Sequence, residues 1–152
     1  MDGRYIAGVD AQVLSDKLEI RELLYRYARS LDTKDWALLA SVFTPDAELD
    51  YTSVDGPKGS RDEVVAWLES ALNPVPMTQH FITNVEIDLD RDCATIRAMF
   101  YNPMQLPGIT GLCYCGGNYF HDVVRTPEGW KSVRLVEDTQ WSVNPLSSPR
   151  GG

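Results

Sequence analysis

The sequence has little of what nucleic-acid-binding, membrane-spanning or secreted proteins need. Its 152 residues carry 14 Lys and Arg against 22 Asp and Glu, so the net charge is −8. Capture of nucleic acid or of an anionic membrane needs clustered cations, and this balance argues against both partners. No apolar run approaches the ~20 residues that cross a bilayer, and residues 1–5 lack the order of a signal peptide. We therefore expect a soluble, cytoplasmic protein with neither nucleic acid nor membrane as a partner.

Cysteine, histidine and phosphate-binding glycine motifs are also scarce. The three cysteines, Cys93, Cys113 and Cys115, are an odd number, which argues against a disulfide framework. The only two histidines are His80 and His121, and no Cys-x-x-Cys pair occurs, so we expect no metal. The chain lacks Gly-x-Gly-x-x-Gly and phosphate loops, so a nucleotide cofactor has no support.

What the chain does have is the composition of one globular domain. Hydrophobic residues make up 43% and charged residues 24%, close to the globular average. A chain of this length buries enough surface for one core without disulfides or metals. We assign residues 1–143 to this domain and residues 144–152, which are rich in Pro, Ser and Gly, to a flexible C-terminal tail.

Apolar residues at three- and four-residue spacing predict three helices, over residues 16–31, 35–42 and 61–72. In the first, Asp16 and Glu19 have the spacing of a capping box, and an apolar stripe follows at Ile20, Leu23, Leu24, Tyr27, Ala28 and Leu31. Asp35 and Ser60 are the expected N-caps of the other two helices.

Segments in which polar and apolar residues alternate predict strands. They span residues 47–51, 78–88, 93–101, 115–125 and 130–141. Residues 103–113 are expected to form a long loop, Gly116 and Gly117 to bend their strand, and the four tryptophans to lie in the core. Three N-terminal helices with a run of antiparallel strands predict an α+β domain, with the helices on one face of a curved sheet.

Asp32 and His80 are the first candidates for chemistry. Asp32 lies near the edge of the apolar stripe at a helix C-terminus, where a carboxylate opposes the helix dipole. It therefore either caps the next turn or interacts with a side chain such as His80. His80 alternates with Ile82 and Asn84 on one strand face and is either a core residue or a base. Side by side, an aspartate fixes the tautomer of an imidazole and leaves its other nitrogen free as a general base.

Two tyrosines and the second histidine are each open to two interpretations, as core residues or as residues of the site. Tyr27 lies inside the helical stripe and Tyr51 at the end of the first strand, and both are either core residues or donors to a developing oxyanion. His121 shares a strand face with Tyr119, so it either lines the same cavity or belongs to the core.

Several short motifs resemble, in their order and spacing, the SnoaL-like branch of the nuclear transport factor 2-like superfamily. The likeness covers about residues 14 to 141 and rests on Tyr27-x-x-x-x-Asp32, Thr33-Lys34-Asp35-Trp36, Phe43-Thr44-Pro45-Asp46-Ala47, Thr78-Gln79-His80-Phe81, Gly116-Gly117-Asn118-Tyr119 and Glu128-Gly129-Trp130-Lys131. The resemblance implies an α+β cone, in which a bent antiparallel sheet and the helices enclose a deep apolar pocket.

Within that superfamily the motifs resemble three kinds of enzyme. Residues 32–36 and 78–81 look most like scytalone dehydratase; Tyr27, Asp32 and His80 look like the trio of bile acid 7α-dehydratase; and Asp32 with His80 matches the dyad of hexachlorocyclohexane dehydrochlorinase. The resemblance implies that His80 is the base, that Asp32 orients it and that the reaction is a cofactor-free elimination.

The likeness to scytalone dehydratase is partial in the pocket. It implies a pocket role for Tyr51, but this chain has Leu31 in place of a second tyrosine and Met104 near the place of a second histidine. Gly117 and Tyr119 stand near the places of a serine and an asparagine. These differences put scytalone itself in doubt as the substrate and leave the Asp–His pair intact.

The sequence thus predicts a cofactor-independent lyase acting on a small apolar cyclic carbonyl compound, steroid-like or polyketide-like. His80, Asp32 and Tyr27 are the predicted catalytic residues, and the predicted substrate-binding residues are Tyr51, Tyr119, His121, Met104 and Asn84. An isomerase or polyketide cyclase on the same scaffold, and a non-catalytic ligand-binding module, stay open as alternatives. The resemblance also implies a homo-oligomer, a trimer or a dimer.

Overall fold

A computed structural model of the protein describes Gly8 and residues 10–145. The helices are α1 (Ala11–Thr33), α2 (Trp36–Ser41) and α3 (Arg61–Leu72), and a 3₁₀ turn spans Thr52–Val54. The strands are β1 (Phe43–Asp50), β2 (Lys58–Ser60), β3 (Met77–Thr78), β4 (Phe81–Asp90), β5 (Cys93–Gln105), β6 (Cys113–Thr126) and β7 (Gly129–Val143).

The strands form one sheet in the order β2-β1-β7-β6-β5-β3, with β4 also paired to β5. Helices α1 and α3 contact β1, β4 and β7, and the core lies between these helices and the curled sheet. The predicted α+β cone is confirmed. The sheet is mixed, however, because β1 runs parallel to β7 while the other pairs are antiparallel.

The pairing of β6 with β7 is irregular at the two glycines of β6. Gly116 lies opposite Trp141 and Gly117 opposite Thr139, so the extra residue, Gln140, is on β7 and not on the strand that we expected to bend. A Cβ atom on Gly117 would lie 2.1 Å from the carbonyl oxygen of Asp138, so only glycine fits there. The close approach of two strand backbones therefore requires this residue.

The first helix begins earlier than predicted, and the capping box at Asp16 and Glu19 is wrong. Asp10 is the N-cap, and its side chain accepts from the main-chain N–H of Gln12. Asp16 is instead buried inside α1, where its carboxylate lies 2.7 Å from Nη2 of Arg125. A cation from β6, far away in sequence, therefore decides what this carboxylate does.

Three strand predictions change in extent. The segment predicted as residues 78–88 is two strands, because Gln79 and His80 interrupt it. The predicted loop of residues 103–113 shortens to 106–112, since both flanking strands extend into it. The first strand already begins at Phe43, with Pro45 in the stretch where its pairing to β7 is irregular and a missing N–H is tolerated.

The C-terminal tail and one tryptophan are the last sequence predictions to compare with the structure. Most of the predicted tail, residues 146–152, lies outside the described residues. Nδ2 of Asn144 donates to the carbonyls of Thr110 and Leu112. Trp141 is 46% exposed and is not the core residue that we expected. Within the described part of the chain, no helix is long and apolar enough to cross a membrane.

Candidate active site

A cavity of about 190 Å³ lies between the helices and the inner face of the sheet. Its wall is mostly apolar, with Leu31 from α1, Trp67 and Leu72 from α3, and Phe100 and Met104 from β5. A pocket of this kind suits an apolar ligand, which the few polar groups on its wall would orient.

The carboxylate of Asp32 holds His80 at the edge of this cavity. Nδ1 of the imidazole lies 2.6 Å from Oδ1 of Asp32, and the main-chain N–H of His80 donates to the same carboxylate at 2.9 and 3.1 Å. Because a carboxylate only accepts, Nδ1 carries the proton of the neutral imidazole, and in that tautomer Nε2 keeps its lone pair. Among the described residues Nε2 has no hydrogen-bond partner, so it is available to a ligand.

The backbone around His80 is anchored by a residue that sequence reasoning missed. His80 does not lie in a strand but in the break between β3 and β4. Nδ2 of Asn102 donates to Oγ1 of Thr78 and to the carbonyl of Gln79, each at 2.9 Å. The imidazole is therefore positioned both from α1, through Asp32, and from β5.

The structure places Tyr51, and not Tyr27, against the cavity. Tyr51 and Tyr119 line the wall, while Tyr27 is fully buried and its hydroxyl is hydrogen-bonded to the hydroxyl of Tyr51. Burial raises the pKa of all three phenols well above the ordinary value of 10. They are thus neutral donors at physiological pH, and Tyr27 reaches a ligand only through Tyr51.

His121 belongs to the core and does not line the cavity. Its ring packs edge-on against Tyr27 at 5.8 Å and stacks with Phe43 at 6.5 Å. Nδ1 lies 2.9 Å from Oγ of Ser132, and Nε2 has no partner in the described part of the chain. Burial lowers the pKa of His121 to about 3, so the ring is neutral at physiological pH.

Asn84 also lies away from the cavity. It is exposed on β4, has φ of 50°, and falls where the β4–β5 pairing shifts register. The irregularity breaks the alternation that the prediction assumed. Of the predicted substrate-binding residues, the structure brings Tyr51, Tyr119 and Met104 to the cavity and leaves His121 and Asn84 outside it.

A buried glutamate on the cavity wall was also missed. Glu137 lies on β7, is 4% exposed, and accepts hydrogen bonds from the hydroxyls of Ser53 and Thr139. Burial raises its pKa above the ordinary value of 4.5. The alternation of Leu135, Glu137 and Thr139 was the signal in the sequence, because it puts Glu137 on the inner face with Leu135.

The described residues include no group of three or more His, Cys, Asp and Glu side chains placed to hold a metal ion. The polar side chains around this apolar space include an imidazole with a free nitrogen, neutral phenols and a carboxyl group. This set can move protons to and from an apolar ligand.

Comparison with known proteins finds a family model and relatives that cover most of the chain. The SnoaL-like domain matches residues 12–136. The uncharacterized protein Rv2910c of Mycobacterium tuberculosis strain H37Rv is 38% identical over 125 residues, 82% of this chain and 85% of that protein. The dehydratase GME11372 of Pestalotiopsis microspora is 26% identical over 132 residues, 78% of this chain and 83% of that protein.

Solved structures share the fold. A provisionally named scytalone dehydratase of Novosphingobium aromaticivorans superimposes with a TM-score of 0.80 at 22% identity, over 90% of this chain and 91% of that one. At this identity the likeness shows the common architecture alone.

Proposed function

The chain belongs to the SnoaL-like domain family, and from that premise we propose that it is a cofactor-independent, dehydratase-type lyase acting on a small apolar cyclic carbonyl compound. The observation that carries the proposal is the Asp32–His80 pair at the wall of an apolar cavity. The dehydratase of Pestalotiopsis microspora supports an elimination reaction among relatives of this chain.

In the proposed reaction, Nε2 of His80 removes a proton from the carbon next to the substrate carbonyl. Asp32 keeps the proton on Nδ1 and stabilises the imidazolium that forms. Tyr51, hydrogen-bonded in turn to Tyr27, polarises the carbonyl. A positioned base contributes about 10²–10⁴-fold and an oxyanion donor a further factor of about 10²–10³, which suits an activated C–H bond.

The size of the cavity favours a substrate with one or two rings. A protein cavity of roughly 150 Å³ holds a benzene molecule, and this cavity measures about 190 Å³. Among the predicted substrates we therefore favour small polyketide-like compounds over four-ring steroids.

We also propose that the loop of residues 106–112, which follows Met104, closes over the ligand. Unchanged ligand affinity after shortening this loop would contradict that proposal.

A spectrophotometric screen tests the proposed reaction. Wild-type protein and His80→Ala are mixed with cyclic β-hydroxy ketones, and the absorbance of the conjugated enone is followed. Turnover in the wild type that vanishes in the variant supports the lyase. If neither protein produces enone absorbance, the mass of any product separates an isomerase or cyclase from a lyase. Ligand binding without turnover that is unchanged in Asp32→Asn indicates a non-catalytic module.

The outer face of the sheet supports the proposed homo-oligomer. Phe81, Tyr101 and Trp141 lie side by side on β4, β5 and β7, each more than 40% exposed, and the rings of Tyr101 and Trp141 stack at 6.1 Å. Exposed aromatic side chains that lie together on one face are typical of an interaction surface, and a second copy of the chain would cover this one symmetrically. Light scattering should show an assembly in the wild type and a smaller species in Trp141→Lys.

A further inference from the structure

Glu137 has no part in the reaction as described so far. Within the described residues it is the acidic side chain that lines the cavity, whereas Asp32 lies behind His80. We propose that Glu137 is the general acid of the same reaction and gives its proton to the hydroxyl that leaves. The inference rests on the proposed function and adds the proton donor that an elimination of water requires.

The position of the carboxyl group is set by hydrogen bonds from two sides. Glu137 is paired with Tyr119 on β6, and both side chains lie on the cavity wall. The hydroxyls of Ser53 and Thr139 each hold one carboxyl oxygen. Oγ of Ser53 in turn accepts from the main-chain N–H of Thr139 at 3.0 Å. The group therefore has one orientation at the wall.

The surroundings of Glu137 favour protonation of its carboxyl group more than water does. Glu137 is almost fully buried, and in the described part of the chain no Lys or Arg lies within 4 Å of it. Burial without a neighbouring Lys or Arg raises the pKa of Glu137, and this outweighs the hydrogen bonds from Ser53 and Thr139, which lower it. The neighbouring phenols of Tyr51 and Tyr119 are much weaker acids. Glu137 is thus the best proton donor on this part of the wall.

The step balances without any further reactant. Nε2 of His80 takes the proton from carbon, and the electron pair of that C–H bond becomes the new C=C bond. The C–O bond breaks with its electron pair on oxygen, and the proton of Glu137 converts that oxygen into water. The imidazolium and the carboxylate then return to their starting states by exchanging one proton through solvent.

Changing the leaving group tests the assignment. Acetate leaves without a proton, so Glu137→Gln should lower kcat/KM for a cyclic β-hydroxy ketone by about 10²-fold or more, and for the matching β-acetoxy ketone by far less. His80→Ala should lower both. Glu86→Gln, the same chemical change at an exposed position of β4, should alter neither. Equal losses for the two substrates in Glu137→Gln, or no loss, would overturn the assignment.

Two further measurements keep the test decisive. The infrared difference between wild type and Glu137→Gln at pH 7 should contain the carbonyl band of a protonated carboxyl group, and a carboxylate band in its place would contradict the proposal. If Glu137→Gln does not fold, Glu137→Asp replaces it. This variant keeps a carboxyl group but moves it back by one methylene, so it should also lower kcat/KM more for the hydroxy ketone than for the acetoxy ketone. If the wild type turns over neither ketone, the proposed lyase function is contradicted, and so is the role of Glu137 as its general acid. The infrared band reports the protonation of Glu137 whatever the outcome of the kinetics.

Discussion

The two histidines occupy opposite environments. Nδ1 of His80 is bound to the carboxylate of Asp32 and the ring borders a cavity. Nδ1 of His121 is bound to the hydroxyl of Ser132, and the ring is enclosed by Tyr27 and other core residues. In both rings the second nitrogen lacks a hydrogen-bond partner among the described residues. Only that of His80 can meet a ligand.

The difference teaches what makes an imidazole useful as a base. A charged partner stabilises the imidazolium that forms when His80 takes a proton. A serine hydroxyl offers no such charge, and burial holds His121 in the neutral form. We therefore expect the same substitution to affect activity at one site and stability at the other.

The largest expected effect is on turnover at His80. His80→Ala should lower kcat/KM by about 10²–10⁴-fold, because the base is lost, while the urea midpoint stays close to that of the wild type. Enone formation and urea unfolding measure the two quantities. Retained turnover would remove His80 as the base, and His121→Ala is the matched comparison, with its main loss expected in stability.

Asp32→Asn should come next, with a loss of about 10²-fold in kcat/KM. The amide keeps the shape of the side chain but carries no charge to stabilise the imidazolium, and its NH₂ group can force the other tautomer. Steady-state kinetics with the same ketone measure the loss. Asp88→Asn, an exposed carboxylate on β4, is the control; equal rates in the two variants would break the comparison.

The buried histidine should show itself in the pH dependence of stability. Its pKa is about 3 in the folded protein and near the ordinary 6.5 when unfolded. Below pH 6.5 the unfolded chain therefore binds a proton that the folded chain does not, and stability falls by up to about 1.4 kcal/mol per pH unit toward pH 3.

His121→Phe removes this proton uptake and keeps an aromatic ring in the core. Between pH 6.5 and 5 the variant should lose about 2 kcal/mol less free energy of unfolding than the wild type. Urea unfolding at the two pH values measures the difference. The carboxyl groups are the same in both proteins, so their contribution to the pH dependence cancels in the comparison. Parallel losses in both proteins would contradict the neutral buried histidine.

The smallest effect is expected at Ser132. Oγ of Ser132 donates to the carbonyl of Arg134 at 2.9 Å, so it accepts from Nδ1 of His121. Ser132→Ala therefore leaves this N–H buried without an acceptor, which should cost about 1–2 kcal/mol of stability and no activity. Ser142→Ala, at an exposed position of the same strand, should change neither quantity. A loss of turnover in Ser132→Ala would mean that the buried histidine communicates with the site.

The sequence predicted those features that depend on neighbouring residues. The stripe from Ile20 to Leu31 is buried as its spacing indicates, and Asp35 and Ser60 cap the helices assigned to them. A helix period and an N-cap are set within a few residues, so they can be read locally. Motif order also placed the chain in its family.

What needed the tertiary structure are contacts between distant segments. Asp32 and His80 are 48 residues apart, and only the packing of α1 against the start of β4 brings their atoms together. In the same way Arg125 decides the role of Asp16, which has the local spacing of a cap. Local pattern fixes the face on which a side chain lies; burial and distant partners decide its protonation, its tautomer and its access to a ligand.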